Sequence, residues 1–184
     1  VVSIAGGAIQ AFLPIYARDA HHHSPERVGL LFGVQIVTSL LCRPFMGMIS
    51  DRVGRKPKIV GGMMLAAASF GAIAQTGTYA VLLVLSALFG LAEAVIHTST
   101  SALAADICKQ RALGSAMGVF GAVSDVGHAL GPILTGALLI WLSGRYRVVF
   151  PLISGLVVLF AILFASLVRT QPSPSRSDSH PPRS

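Results

Sequence analysis

Gly-Met-Ile-Ser-Asp-Arg-Val-Gly-Arg-Lys-Pro, residues 47–57, is a short basic turn wedged between two long apolar runs. Asp51 is its one acid, set among Arg52, Arg55 and Lys56. Gly54 can adopt the positive φ that a tight reversal asks for, and Pro57 suits the first turn of a following helix. Asp51 sits where it can accept hydrogen bonds from neighbouring guanidinium groups or from a helix amino terminus. A cationic reversal of this kind is what a chain carries where it leaves a membrane on the cytoplasmic side and re-enters it.

The flanking sequence agrees. The 184-residue chain is 53% hydrophobic and only 11% charged, whereas a soluble domain has about 25% charged residues. The apolar residues fall in stretches near membrane-spanning length, roughly 17–25 residues. Six are expected, at about 1–17, 28–50, 58–76, 80–105, 113–141 and 148–168. In hydrocarbon every backbone amide must be bonded internally, so each is expected to be a helix. Barrel strands are excluded by the lack of dyad alternation. The expected fold is therefore an all-α polytopic bundle over residues 1–168. A disordered Pro- and Ser-rich tail is expected over 169–184, since it has no apolar periodicity to offset ordering entropy.

The net charge of +7 does not point to nucleic acid, because the cations are placed by topology. Nine of the fourteen basic residues follow even-numbered spans: Arg52, Arg55, Lys56, Lys58, Lys109, Arg111, Arg169, Arg176 and Arg183. Four (Arg18, Arg27, Arg145, Arg147) follow odd-numbered spans, and Arg43 lies within one. This bias predicts cytoplasmic even loops, a cytoplasmic carboxyl tail and, with six spans, a cytoplasmic amino end. Cys42 and Cys108 both fall towards that side, where thiols stay reduced, so neither a disulfide nor a metal site is expected. Val1 stands inside an apolar run, which reads as a piece of a longer chain rather than a signal peptide.

Between the first two spans, Ser24, Pro25 and Glu26 predict a helix start with Ser24 as cap. His21, His22 and His23 precede it as a solvated loop. Short connections at 76–79 and 143–147 make spans three and four, and five and six, antiparallel neighbours. Tyr79, Trp141 and Tyr146 mark the expected outer interface.

The pattern Gly-x-x-x-Asp-Arg-x-Gly-Arg-Lys, filled at Gly47, Asp51, Arg52, Gly54, Arg55 and Lys56, resembles the signature loop of the major facilitator superfamily of secondary transporters. That resemblance implies a latch at the cytoplasmic helix ends, with Asp51 and Arg52 central and Arg55 and Lys56 supporting. It also implies that the chain is one six-helix half of a two-half fold. The tail and the Arg43-Pro44 pair favour the carboxyl-terminal half.

The fifth span carries Gly118, Gly127, Gly131, Pro132 and Gly136. The pairs Gly114/Gly118 and Gly127/Gly131 each lie near one helix face and allow close helix contact. Pro132 removes a backbone donor and bends the helix. The series resembles the glycine-proline motif of proton-coupled antiporters in this superfamily, departing at Thr135, where a second glycine is usual.

Ionisable residues at membrane depth are expensive and face a cavity or a partner. Glu93 and His97 are spaced i,i+4 on span four, and Asp125 and His128 i,i+3 on span five, so each pair can meet on one face. A carboxylate taken out of water holds its proton more readily, and histidine titrates near neutrality, so both types suit proton exchange. The alternative is interhelical hydrogen bonding for structure alone. Asp106, at the end of its span, is expected to contact Lys109 or solvent. Arg43 either snorkels to the interface or meets an anionic substrate. Gln10, Gln35 and residues 98–101 either line a polar pathway or bond back to their own helices. Ser124, Asp125 and His128 hold the residue types of a hydrolytic triad, but adjacent residues on a helix point about 100° apart, and no enzyme is expected.

The resulting expectation is ion-coupled transport of a small molecule, most simply proton-driven efflux, by an integral protein of the plasma (inner) membrane. Its partners are the substrate, protons, lipid and a second six-helix half, with no cofactor and no nucleic acid. A metal-ion transporter using Glu93, His97, Asp125 and His128, a nutrient transporter, and a non-transporting half that assembles with another membrane chain are the alternatives.

Overall fold

The computed structural model describes residues 2–19, 24–53, 55–73, 75–107, 113–142 and 145–167. Six helices are present among them: α1 (Val2–Asp19), α2 (Pro25–Val53), α3 (Arg55–Ile73), α4 (Tyr79–Ile107), α5 (Leu113–Trp141) and α6 (Tyr146–Leu167). The His21–23 cluster, Cys108, Lys109, Arg111 and the tail lie outside the described residues. Four helices are long and apolar enough to cross a membrane, within Pro25–Met46, Tyr79–Ala105, Gly114–Trp141 and Arg147–Leu167. In α3 the cations Arg55, Lys56 and Lys58 occupy the first turn, which shortens its apolar stretch. In α1 the apolar part is Ser3–Phe12. The chain is an all-α membrane bundle.

The helix starts follow local chemistry. The Ser24 carbonyl accepts from Val28 N at 3.2 Å, the first bond of a helix that begins at Pro25 with Glu26 in its first turn. Thr78 plays the same part for α4, accepting from Leu82 N at 3.1 Å. The basic segment is where expectation and structure differ. Residues 47–53 are not a turn but the last two turns of α2, and α3 resumes at Arg55, leaving only Gly54 between the helices. Met, Ile, Arg and Lys are good or adequate helix formers, so the basic segment is taken up by the adjoining ends of the two helices. Pro57 falls in the first turn of α3.

The helices fall into two groups. In one, α4 packs along both α2 and α3, and α3 packs along α6; in the other, α1 packs along α5. The two groups touch each other sparingly. In the first group, Phe70 of α3 stacks on Phe150 of α6 at 4.9 Å between centroids and meets Phe89 of α4 at 6.4 Å. All three rings are fully buried. The Ser154 hydroxyl ties α6 to the Ala67 carbonyl of α3. Gly90 of α4 lies against the backbone of Gln35, where any side chain would strike the carbonyl.

The α1–α5 seam is built from glycine. Gly7 abuts the backbone of His128, Gly127 abuts Ser3, Gly131 abuts Ile4 and Ala8, and Gly136 abuts Phe12. The pairs 3/127 and 12/136 keep a constant offset, so the two helices run parallel. Close approach of this kind replaces the hydrophobic drive that lipid does not supply. The contact expected at Gly114 and Gly118 is not made: both face open space.

Much of the remaining apolar surface points outward, including Val37, Leu41 and Phe45 of α2, Val119 and Ile133 of α5, and Leu159 and Ile162 of α6. That is unremarkable where lipid is the solvent. One end of the bundle gathers the connections before α2, α4 and α6. Tyr79 donates its hydroxyl to the Arg27 carbonyl at 2.9 Å beneath the Arg27 guanidinium, and Gln75 Nε2 donates to the Arg147 carbonyl at 3.2 Å. Trp141 is exposed nearby in sequence. Tyr79→Phe should lower stability by only about 1 kcal/mol, because the bond is exposed and the ring stays in place. Thermal unfolding in detergent checks this, and a loss several times larger would make this contact a principal tie between α2 and α4.

Candidate functional site

Between the two helix groups lies a cavity of about 700 Å³. Every one of the six helices contributes to its wall. The ionisable residues singled out at membrane depth all reach it: Glu93 and His97 from α4, Asp125 and His128 from α5, and Arg43 from α2. Residues 35, 39 and 43 are spaced i, i+4, i+8, so Gln35, Ser39 and Arg43 form one polar stripe down α2 facing the cavity. Apolar wall comes from Ile59 and Met63 of α3 and Phe160 and Phe164 of α6.

One contact between cavity side chains crosses helices. Gln35 Nε2 donates to Glu93 Oε2 at 3.3 Å, tying α2 to α4. His128 Nδ1 lies 3.0 Å from the Ser124 carbonyl one turn back; a carbonyl only accepts, so Nδ1 is the donor. A side-chain carbon built on Gly6 of α1 would sit 2.9 Å from Glu93 Oε1 and 3.0 Å from His128 Nε2. Those two atoms therefore lie no more than about 6 Å apart. The His97 ring meets Phe120 of α5 edge-on at 5.7 Å. Asp125 is exposed, and Arg43 is exposed at the cavity rim rather than withdrawn from it.

The polar run 98–101 divides. Thr98 and Ser101 donate back to the Ala94 and His97 carbonyls, each at 2.7 Å, while Thr100 lines the cavity. Gln10 lines it too. Ser124 offers His128 its carbonyl, which is not the hydroxyl–imidazole contact of a nucleophilic triad. Among the described residues no three of His, Cys, Asp and Glu gather closely enough to hold a metal ion, so the metal-transport alternative lacks a ligand set there.

Of the latch residues, Gly47, Asp51, Arg52, Arg55 and Lys56 lie at the facing ends of α2 and α3, and only Lys56, half-buried, has a described side chain; Gly54 is outside the described residues. The side chain of Asp106 is likewise outside them. Pro132 sits inside α5 one residue beyond its contact with α1. Three contributors escaped the sequence reading. Ser39 was legible as the middle of the α2 polar stripe, and Ser3 and Gly6 by their helical spacing from Gln10. The α1 stretch reads as apolar overall, which hid that face.

A model of the Major Facilitator Superfamily matches residues 1–183, nearly the whole chain. The chain belongs to the major facilitator superfamily. Citrate exporter 1 of Aspergillus niger is 29% identical over 134 residues, covering 73% of this chain and 26% of that protein. Major facilitator superfamily domain-containing protein 10 of Homo sapiens is 29% identical over 147 residues, covering 80% and 32%. Multi-drug resistance efflux pump PmrA of Streptococcus pneumoniae is 26% identical over 166 residues, covering 89% and 41%. The matched part thus spans between a quarter and two-fifths of these relatives' lengths. Family and relatives are transporters rather than enzymes, and the superfamily member described here is an integral membrane protein.

Proposed function

We propose that this chain supplies one six-helix half, the carboxyl-terminal one, of a secondary transporter that exports a small molecule by alternating access, driven by protons entering. The observation that carries this is the single cavity in which Glu93, His97, Asp125, His128 and Arg43 converge between two loosely joined helix groups. Gln35 and Ser39 bring polar side chains to its wall, and buried polar groups ask for hydrogen-bond partners. Phe120, Phe160 and Phe164 offer apolar surface to the rest of it. The proton carrier in this reading is Glu93, which is half-buried and held by Gln35, whereas Asp125 is exposed. Differential affinity of proton and substrate for the two facing states supplies the coupling.

The names of the relatives, an exporter and a multi-drug efflux pump among them, support efflux for this chain. Even-numbered connections and the tail face the cytoplasm of the plasma membrane in this reading, and the second half covers the outward apolar faces of α2 and α5.

The test is reconstitution of the intact transporter in vesicles with an imposed pH gradient. Gradient-driven accumulation of a transported compound, with proton movement in the opposite sense, is the expected result; accumulation indifferent to the gradient would remove the proton from the scheme. In the same assay Asp125→Asn should keep uphill accumulation within about tenfold of the unsubstituted protein. Accumulation falling to background would move the carrier role from Glu93 to Asp125.

A further inference from the structure

Glu93 and His128 each have one atom fixed and one atom free. Glu93 Oε2 is held by Gln35 of α2, and His128 Nδ1 by the Ser124 carbonyl of its own helix. Their free atoms, Oε1 and Nε2, both turn towards the same point on α1, the missing side chain of Gly6. Gly6 is buried, so the α1 backbone is seated in the cleft between them. It is held there by the glycine seam one residue further on, where Gly7 meets the backbone of His128 and Gly131 meets Ile4.

We infer that Gly6 is the positioning residue of the Glu93–His128 pair: lacking a side chain, it lets α1 seat in the cleft and keeps Oε1 and Nε2 facing one another as one proton-binding unit. This rests on the proton-coupled reading given above. The unit takes one proton from cavity water, on Oε1 or on Nε2, directly or through one bridging water; no other bond forms or breaks. The other charged or titratable groups on the same cavity are Arg43 from α2, His97 from α4 and Asp125 from α5. The described cavity residues of α1, α3 and α6 are Ser3, Gln10, Ile59, Met63, Phe160 and Phe164, none of them titratable. Position 6 thus decides the geometry of the pair from a helix whose described cavity residues, Ser3 and Gln10, carry no titratable group.

A methyl group at position 6 would be tighter than ordinary contact to both free atoms, so at least one must withdraw. The experiment is infrared titration of the intact transporter in liposomes, following the protonated-carboxyl band that Glu93→Gln removes. Gly6→Ala should shift the midpoint of that band by about one pH unit. His128→Gln should shift it as well, and adding Gly6→Ala to His128→Gln should then produce no further shift, because the partner it separates is already gone. An unchanged midpoint in Gly6→Ala, or shifts that simply add, would overturn the assignment.

If Gly6→Ala does not fold, Glu93→Asp in the same chain retracts the carboxylate from the methyl. Recovery of folded protein then supports the seating, and failure to recover places the clash on the seam and overturns it. An intact transporter whose transport ignores the pH gradient sinks both readings. Coupled transport with a midpoint indifferent to position 6 sinks only this one.

Discussion

Leucine at Gly131 should remove most of the folded protein, reducing monodisperse material in detergent by at least about tenfold. The reason is that the obstacle is backbone. A side-chain carbon at Gly131 would meet the Ile4 carbonyl, with the Ala8 nitrogen at 2.7 Å and the Gly7 carbonyl carbon at 3.0 Å. A flexible side chain could turn away, but a helix backbone can only separate as a whole. Overpacking a tight contact typically costs about 1–3 kcal/mol when side chains can adjust, and here that adjustment is missing. Separation would also lift Gly7 off His128 and Gly127 off Ser3, so the whole α1–α5 seam is at stake. Gly118→Leu, on the same helix and facing open space, should leave the yield within about twofold. Size-exclusion profiles and thermal unfolding in one detergent decide between them. Equal losses at the two positions would mean that glycine serves helix flexibility in α5 rather than close contact with α1.

The second large effect is functional. Glu93→Gln should bring gradient-driven accumulation to background in reconstituted vesicles while substrate binding survives. Glutamine matches the carboxyl in shape and its carbonyl can still accept from Gln35 Nε2, which now reaches Glu93 at 3.3 Å. What it cannot do is take up and release a proton. Without that exchange the two facing states lose the differential affinity that couples uphill transport to the gradient, whereas the polar stripe and the aromatic wall of the cavity are retained. Uphill accumulation close to the unsubstituted level would take Glu93 out of the coupling machinery, and loss of binding as well would make it a substrate contact.

The sequence determined the solvent and the helices. With 53% hydrophobic residues gathered into runs and the cations confined between them, lipid imposes helices, because no other spanning segment bonds all its own amides. Hence the expected spans lie close to α1–α6, and Ser24-Pro25-Glu26 starts α2 where the cap chemistry says it should. The ionisable set was legible too, since Glu93, His97, Asp125, His128 and Arg43 stand out against apolar surroundings, and all of them reach one cavity. The basic segment misled only in its backbone: propensity carries α2 to Val53, and α3 already begins at Arg55.

Tertiary structure alone decided who meets whom. Helical spacing paired Glu93 with His97 and Asp125 with His128, because periodicity reports neighbours on one helix and nothing across two. The packing adds Gln35 to Glu93 on one side and, across Gly6, His128 on the other. It likewise gives Gly127, Gly131 and Gly136 a partner helix and leaves Gly118 without one, since the register of α1 against α5 is set by where two backbones can touch. Such contacts join residues many helical turns apart, 58 positions for Gln35 and Glu93, and a pattern that repeats every few residues carries no record of them.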